Sequence, residues 1–147
     1  MRFKYNYFRY VARVSGDACA LNMLGILLER QRHFRTAKRF LTKALQLQIE
    51  THLKDQVLHN LARVLYKLGE FEASVKCYQK VAATDFYGQV GLALSAWKSS
   101  NFQLAYSSYG AALPLASTTE QRSHILAAMA TIAYKFQVKV NTFKNRD

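Results

Sequence analysis

Leu61-Ala62-Arg63-Val64-Leu65-Tyr66-Lys67-Leu68-Gly69-Glu70-Phe71-Glu72-Ala73-Ser74 is one of three stretches of this chain that lie over one another in register. The second is Leu24-Gly25, followed by Phe34, Ala37, Leu41 and Ala44. The third is Leu92-Ala93, followed by Phe102, Ala105, Tyr109 and Ala112. In the quoted copy the later positions are Phe71, Ser74, Tyr78 and Val81. A fourth copy starts at Met129-Ala130 and stops half-way. A repeat of this period is one supersecondary unit that cannot bury its apolar face alone, so the copies must stack.

Within each copy the apolar residues follow helical spacing. Leu21, Leu24, Leu27 and Leu28 mark a helix over 18–30, with Asp17 as its N-cap. Further helices are predicted over 34–49, 55–67, 71–82, 87–98, 102–113 and 120–136, the last capped by Thr118 or Thr119. Leu68-Gly69 supplies a turn that needs positive φ after a helix end. The small residues Gly25, Ala62, Ala93 and Ala130 let a facing helix approach, as do Ala37, Ser74 and Ala105. The periods are unequal. Phe34 to Phe71 carries three extra residues, expected in a loop near 50–54. Phe71 to Phe102 loses three, expected near 84–87, where the stack should be irregular.

The expected fold is therefore all-α, a solenoid of about seven helices. Residues 1–16 form a basic, aromatic arm or a capping helix. Residues 17–136 hold the repeats, as 18–51, 55–85, 86–117 and a half repeat at 120–136. Residues 137–147 form a polar, basic tail without periodicity. The last helix lacks its partner, so Ile125, Met129 and Ile132 are expected to be exposed, as in a piece of something longer.

The repeat matches resemble the tetratricopeptide repeat family over residues 18–136, most closely in the quoted stretch. The departures are Leu21, Leu58 and Gln89 where the family carries a tryptophan. Within the family, Gly16-Asp17-Ala18-Cys19-Ala20-Leu21-Asn22-Met23-Leu24-Gly25-Ile26-Leu27-Leu28-Glu29-Arg30 is similar to the scaffold subunits of superkiller complexes. That resemblance implies a non-catalytic protein-interaction scaffold, cytoplasmic or nuclear, assisting 3′–5′ messenger RNA decay by the exosome. It implies helicase and β-propeller subunits as partners. It implies no chaperone-tail binding, because the clamp positions of the first repeat are Asn22 and Ile26.

The family also implies that the first helix of each pair lines a groove. Projected there is a row of cations, Arg30, Lys67, Lys98 and Lys135, beside Glu29, Tyr66, Trp97 and Tyr134. Asn22, His59 and Arg63 fall on the same face. Rings give contact area and cations give steering toward an acidic peptide. The same Tyr-Lys pairs can equally cover the helix end, with the cation near the C-terminal dipole.

The 147 residues carry a net charge of +12, and it is unevenly placed. Arg30, Arg32, Arg35, Lys38, Arg39 and Lys43 follow one another without an acid. Arg32, Arg35, Lys38, Arg39 and Lys43 make an outer basic patch that would attract acidic segments or, as an alternative, RNA. Without interleaved aromatics it suits RNA less well. Enzyme signatures are missing: His33, His52, His59 and His124 have no metal spacing, and no phosphate loop is present. Cys19 and Cys77 stand in no CxxC context. No cofactor is implied. No apolar run is long enough for a membrane span, and the aromatic start with Ser15 as its one serine is unlike a leader.

Overall fold

A computed structural model describes residues 2–14, 16–81 and 85–144. Among them there are eight α-helices and no strand. They are α1 (Arg2–Val14), α2 (Ala18–Arg30), α3 (Phe34–Leu45), α4 (Thr51–Lys67), α5 (Phe71–Lys80), α6 (Phe86–Lys98), α7 (Phe102–Ala112) and α8 (Thr119–Lys144), with a 3-10 turn at Leu113–Leu115. The class is the expected one, a set of tetratricopeptide-like helix pairs of the α-solenoid kind. The chain divides into two compact units, residues 1–82 and 83–147. In the first, α2 pairs with α3 and α4 with α5, while α1 packs on α2. In the second, α6 pairs with α7, and α8 packs on α7.

The same turn closes all three pairs. His33 N–H donates to Leu28 C=O at 2.8 Å, Glu70 N–H to Leu65 C=O at 2.9 Å, and Asn101 N–H to Ala96 C=O at 2.8 Å. These six-to-one bonds satisfy carbonyls that the helix end would leave orphaned. The geometry forces positive φ one residue earlier. Gly69 adopts +80°, as its lack of Cβ allows, but Arg32 and Ser100 occupy the same position at +63°. For those two side chains the left-handed conformation costs about 1 kcal/mol. The caps also match their side chains. Asp17 Oδ1 accepts from Cys19 N–H at 3.0 Å, and Asp85 Oδ2 accepts from Gly88 N–H at 3.0 Å. Thr118 Oγ1 accepts from Gln121 N–H at 3.1 Å, while Gln121 Oε1 reaches back to Ser117 N–H at 2.8 Å. This reciprocal box makes Thr118 the cap of α8.

The core of the first unit is built by apposition of large and small residues. A Cβ on Gly25 would stand 2.5 Å from Leu41 Cγ. Leu41 is fully buried, so α2 and α3 can approach this closely only over glycine. Ala62 and Ser74 serve the next crossing. Both are fully buried, and Ser74 Oγ donates to Ala62 C=O at 2.7 Å, so the hydroxyl is satisfied in place.

The structure corrects three expectations and decides between two alternatives in a fourth. The three extra residues near 50–54 are not a loop. They lengthen α4 to 17 residues, against 13 in α2 and α6. An insertion close to one 3.6-residue turn preserves the helical face, and Leu53 joins the core. Second, of the arm and the capping helix expected over 1–16 the described residues form the helix: Tyr5, Phe8 and Val11 of α1 pack against the core of the first unit. Third, α8 continues through 137–144, because nothing in that stretch breaks a helix. Apolar periodicity reports burial, and its loss does not end helicity. Fourth, Ile125 and Ile132 are buried and Met129 is half-buried, since that face packs on α7. The uncovered residues are Leu126, Ala130, Tyr134 and Phe136. The small residue at Ala130 therefore faces no helix among the described residues. The irregular connection expected near 84–87 falls partly on residues 82–84, and the last of the tail on 145–147, outside the described residues.

Candidate functional site

The face shared by α2 and α4 carries most of the groove residues of the first unit. Asn22 is almost completely buried, and its Oδ1 accepts from Asn60 Nδ2 at 2.9 Å. Arg63 Nε donates to Glu29 Oε1 at 2.8 Å, and its Nη2 binds Glu29 Oε2 as the second arm of the fork. The hydrogen bond to Glu29 holds the Arg63 guanidinium above its ordinary value against the opposing effect of burial. Two neighbouring repeats are thus joined by a part-buried amide pair and a bidentate ion pair. His59 packs edge-on against Tyr78 with ring centroids 5.5 Å apart, and Tyr66 packs against Phe71 at the same separation. Both rings are half-buried. Arg30 and Lys67 project into solvent.

The second unit treats its copies of these positions differently. Trp97 packs edge-on against Phe102, 5.2 Å between centroids. Lys135 Nζ of α8 sits 4.9 Å from the Trp97 ring centre, a cation–π contact between successive first helices. Lys98 and Tyr134 are exposed. Beside them Phe102, Tyr106, Ile132 and Phe136 line a recess of ≈ 470 Å³ between α7 and α8. In each unit, then, one ring before a turn, Tyr66 or Trp97, closes over the phenylalanine after it, and the lysine that follows it, Lys67 or Lys98, stays in water.

The outer patch separates into three groups. Lys38 Nζ pairs with Glu70 Oε2 at 2.6 Å, linking α3 to the turn before α5. Arg32 and Arg35 border a recess around the α2–α3 turn together with Leu68. Arg39 and Lys43 line a cleft of ≈ 370 Å³, and Arg9 and Arg13 of α1 line it with them. The sequence marks both arginines of α1 as part of a basic start without an acid, and not as site residues. Their signal was present: Tyr5, Arg9 and Arg13 are spaced by four residues, so they share one helix face.

Burial pushes the half-buried Cys77 thiol up, with Lys80 nearby opposing the shift, so the thiolate is disfavoured there. Among the described residues no three of His, Cys, Asp and Glu gather to hold a metal ion, and no helix is long and apolar enough to cross a membrane.

Residues 56–84 match the tetratricopeptide repeat family. This match covers α5 with most of α4 and includes the turn at Gly69, whose geometry recurs in all three pairs. That segment is a tetratricopeptide repeat by this match. The chain is similar to tetratricopeptide repeat protein 37 of Xenopus laevis, 26% identical over 129 residues, spanning 86% of this chain and 8% of that protein. It is similar to superkiller complex protein 3 of Mus musculus, 25% identical over 140 residues, spanning 93% of this chain and 9% of that one. The Homo sapiens protein of the same name is 26% identical over 132 residues, 86% of this chain and 8% of its own length. The chain thus spans less than a tenth of the curated relatives it matches. Among solved structures, a fragment of MamA from Desulfovibrio magneticus RS-1 superposes with a TM-score of 0.73 at 18% identity, covering 97% of this chain and 85% of that one. This likeness carries the fold alone.

Proposed function

We propose that this tetratricopeptide repeat chain is a non-catalytic scaffold segment of a superkiller-type complex, acting in cytoplasmic 3′–5′ messenger RNA decay by the exosome. Scaffolding is the general use of this repeat fold, which presents stacked helix faces to other proteins. The observation that carries the specific reading is the similarity to superkiller complex protein 3 along 93% of the chain in the mouse case. Partners under this reading are a helicase subunit and a β-propeller subunit. The exposed cations Arg30 and Lys67, and separately Lys98, are placed to steer an acidic partner segment without being needed for the fold. Affinity purification of the tagged protein from its own cells, followed by mass spectrometry, tests the reading. Co-purification of a helicase and a β-propeller protein in comparable amounts is expected. Reproducible recovery of a different stable assembly, with neither subunit in it, overturns it.

A further inference from the structure

The cleft between α1 and α3 combines features that neither helix shows alone. Its walls carry four cations, Arg9 and Arg13 on α1 and Arg39 and Lys43 on α3, all exposed. Each pair is spaced by four residues, so neighbouring charges recur about every 6 Å along each wall. No acidic side chain lines the cleft. Helix α1 contains no acid, and α3 contains none. The base is apolar: Leu21 of α2 lies there fully buried, with the half-buried rings of Tyr5 and Phe40 beside it. The sequence of α3 by itself describes one cationic wall with a single cleft-lining ring, Phe40. Docking of α1 brings the second ring, Tyr5, and the second cationic wall.

The donor and acceptor balance selects the ligand. Arginine and lysine only donate hydrogen bonds. The one neutral polar group on the α3 wall is the Thr36 hydroxyl, and on the α1 wall the Tyr5 hydroxyl. An extended peptide laid here would bring a backbone N–H with every residue and find almost nothing to accept it. A phosphodiester backbone brings acceptors alone, one negative charge per unit, and guanidinium forks suit phosphate oxygens. The cleft of ≈ 370 Å³ between two helices has room for a few units of one strand. We propose that this cleft binds the backbone of single-stranded nucleic acid, the cations holding phosphates and Tyr5 and Phe40 meeting bases or sugars. The binding is independent of sequence. It goes beyond the scaffold reading, and either can fail without the other.

Fluorescence anisotropy with the whole protein and a labelled oligouridylate of about ten nucleotides tests it. Four phosphate contacts at a slope of about 0.7 each predict an affinity loss of about 50-fold between about 50 mM and about 200 mM salt. The double variant Arg9→Glu/Arg39→Glu should lose at least about tenfold in affinity at low salt, with unchanged helical circular dichroism. If that variant loses helix, Arg9→Gln/Arg39→Gln replaces it, with a smaller loss expected. Lys76→Glu, on α5 outside the cleft, should bind within about twofold of the parent chain. The proposal is overturned by no binding at low salt, by equal losses in the cleft variant and Lys76→Glu, by tighter binding of a duplex of the same length, or by tighter binding of an oligoglutamate, which would make the partner an acidic protein segment.

Discussion

Two regions of the first unit hold comparable numbers of charged and polar side chains and use them in opposite ways. On the face shared by α2 and α4, Arg63 grips Glu29 and Asn60 grips Asn22. In the cleft between α1 and α3, Arg9, Arg13, Arg39 and Lys43 stand exposed with no acid lining the site. Residue type does not separate the two, since both contain arginine on helix faces at helical spacing. What separates them is whether the neighbouring helix supplies a counter-group. Where it does, the side chains are stitching between repeats. Where it does not, they repel one another, and an anionic ligand is the missing counter-charge. A chain shaped only by stability would gain by placing an acid in the cleft.

The comparison breaks first at Glu29, where the effect is largest. Replacing Glu29 by Ala should lower unfolding free energy by about 1–2 kcal/mol, because a bidentate charged pair with a mostly buried carboxylate partner is lost. The partly exposed Arg63 regains water, which keeps the cost at that level. Arg63→Ala should cost a comparable amount, because it leaves the mostly buried Glu29 carboxylate unpaired, and the double variant less than the sum of the two. Denaturant titration reads all three. Additive losses would mean that the two side chains do not hold one another and that Arg63 is free for a partner.

A smaller change of opposite sign is expected at Arg32. It belongs to the outer basic patch, yet its left-handed backbone is set by the turn. Arg32→Gly should raise stability by about 0.5–1 kcal/mol in the same titration, while leaving oligonucleotide affinity near that of the parent. A drop in stability would mean that the Arg32 side chain holds the α2–α3 turn. The smallest stability effect belongs to the cleft. Arg39→Gln and Lys43→Gln should each shift unfolding free energy by no more than about 0.5 kcal/mol, and upward rather than downward, since each removes repulsion. A clear loss of stability in either would place the cleft with the stitched face.

The helix pairs were legible because their determinants are short-range. Gly69, Asp17 and Thr118 act on backbone groups a few residues away, and Gly25 with Leu41 repeats a spacing visible in every copy. The extra turn of α4 is not legible, because three residues fit a loop or a helical turn equally well, and the packing of the half-buried Leu53 against the core is a tertiary fact. The site was less legible. Asn22 and Arg63 project onto the expected face, but their partners lie 38 and 34 residues away. The pairing of Arg63 had a trace in sequence: Glu29 stands one repeat earlier, offset from Arg63 by about one helical turn. The role of α1 had little trace, because its contribution depends on which face docks on α2.

By itself the sequence determined the class of fold, the turn at Gly69 and places where helices cross closely. Those properties repeat, and each arises within one or two helices. Only the tertiary structure decided which cations are neutralised, that the apolar face of α8 with Ile125 and Ile132 is covered by α7, and that α1 completes a second cationic wall opposite α3. The physical reason is that a charge or an apolar side chain acquires its role from what stands across from it. On a helix, that neighbour is chosen by docking and not by spacing along the chain.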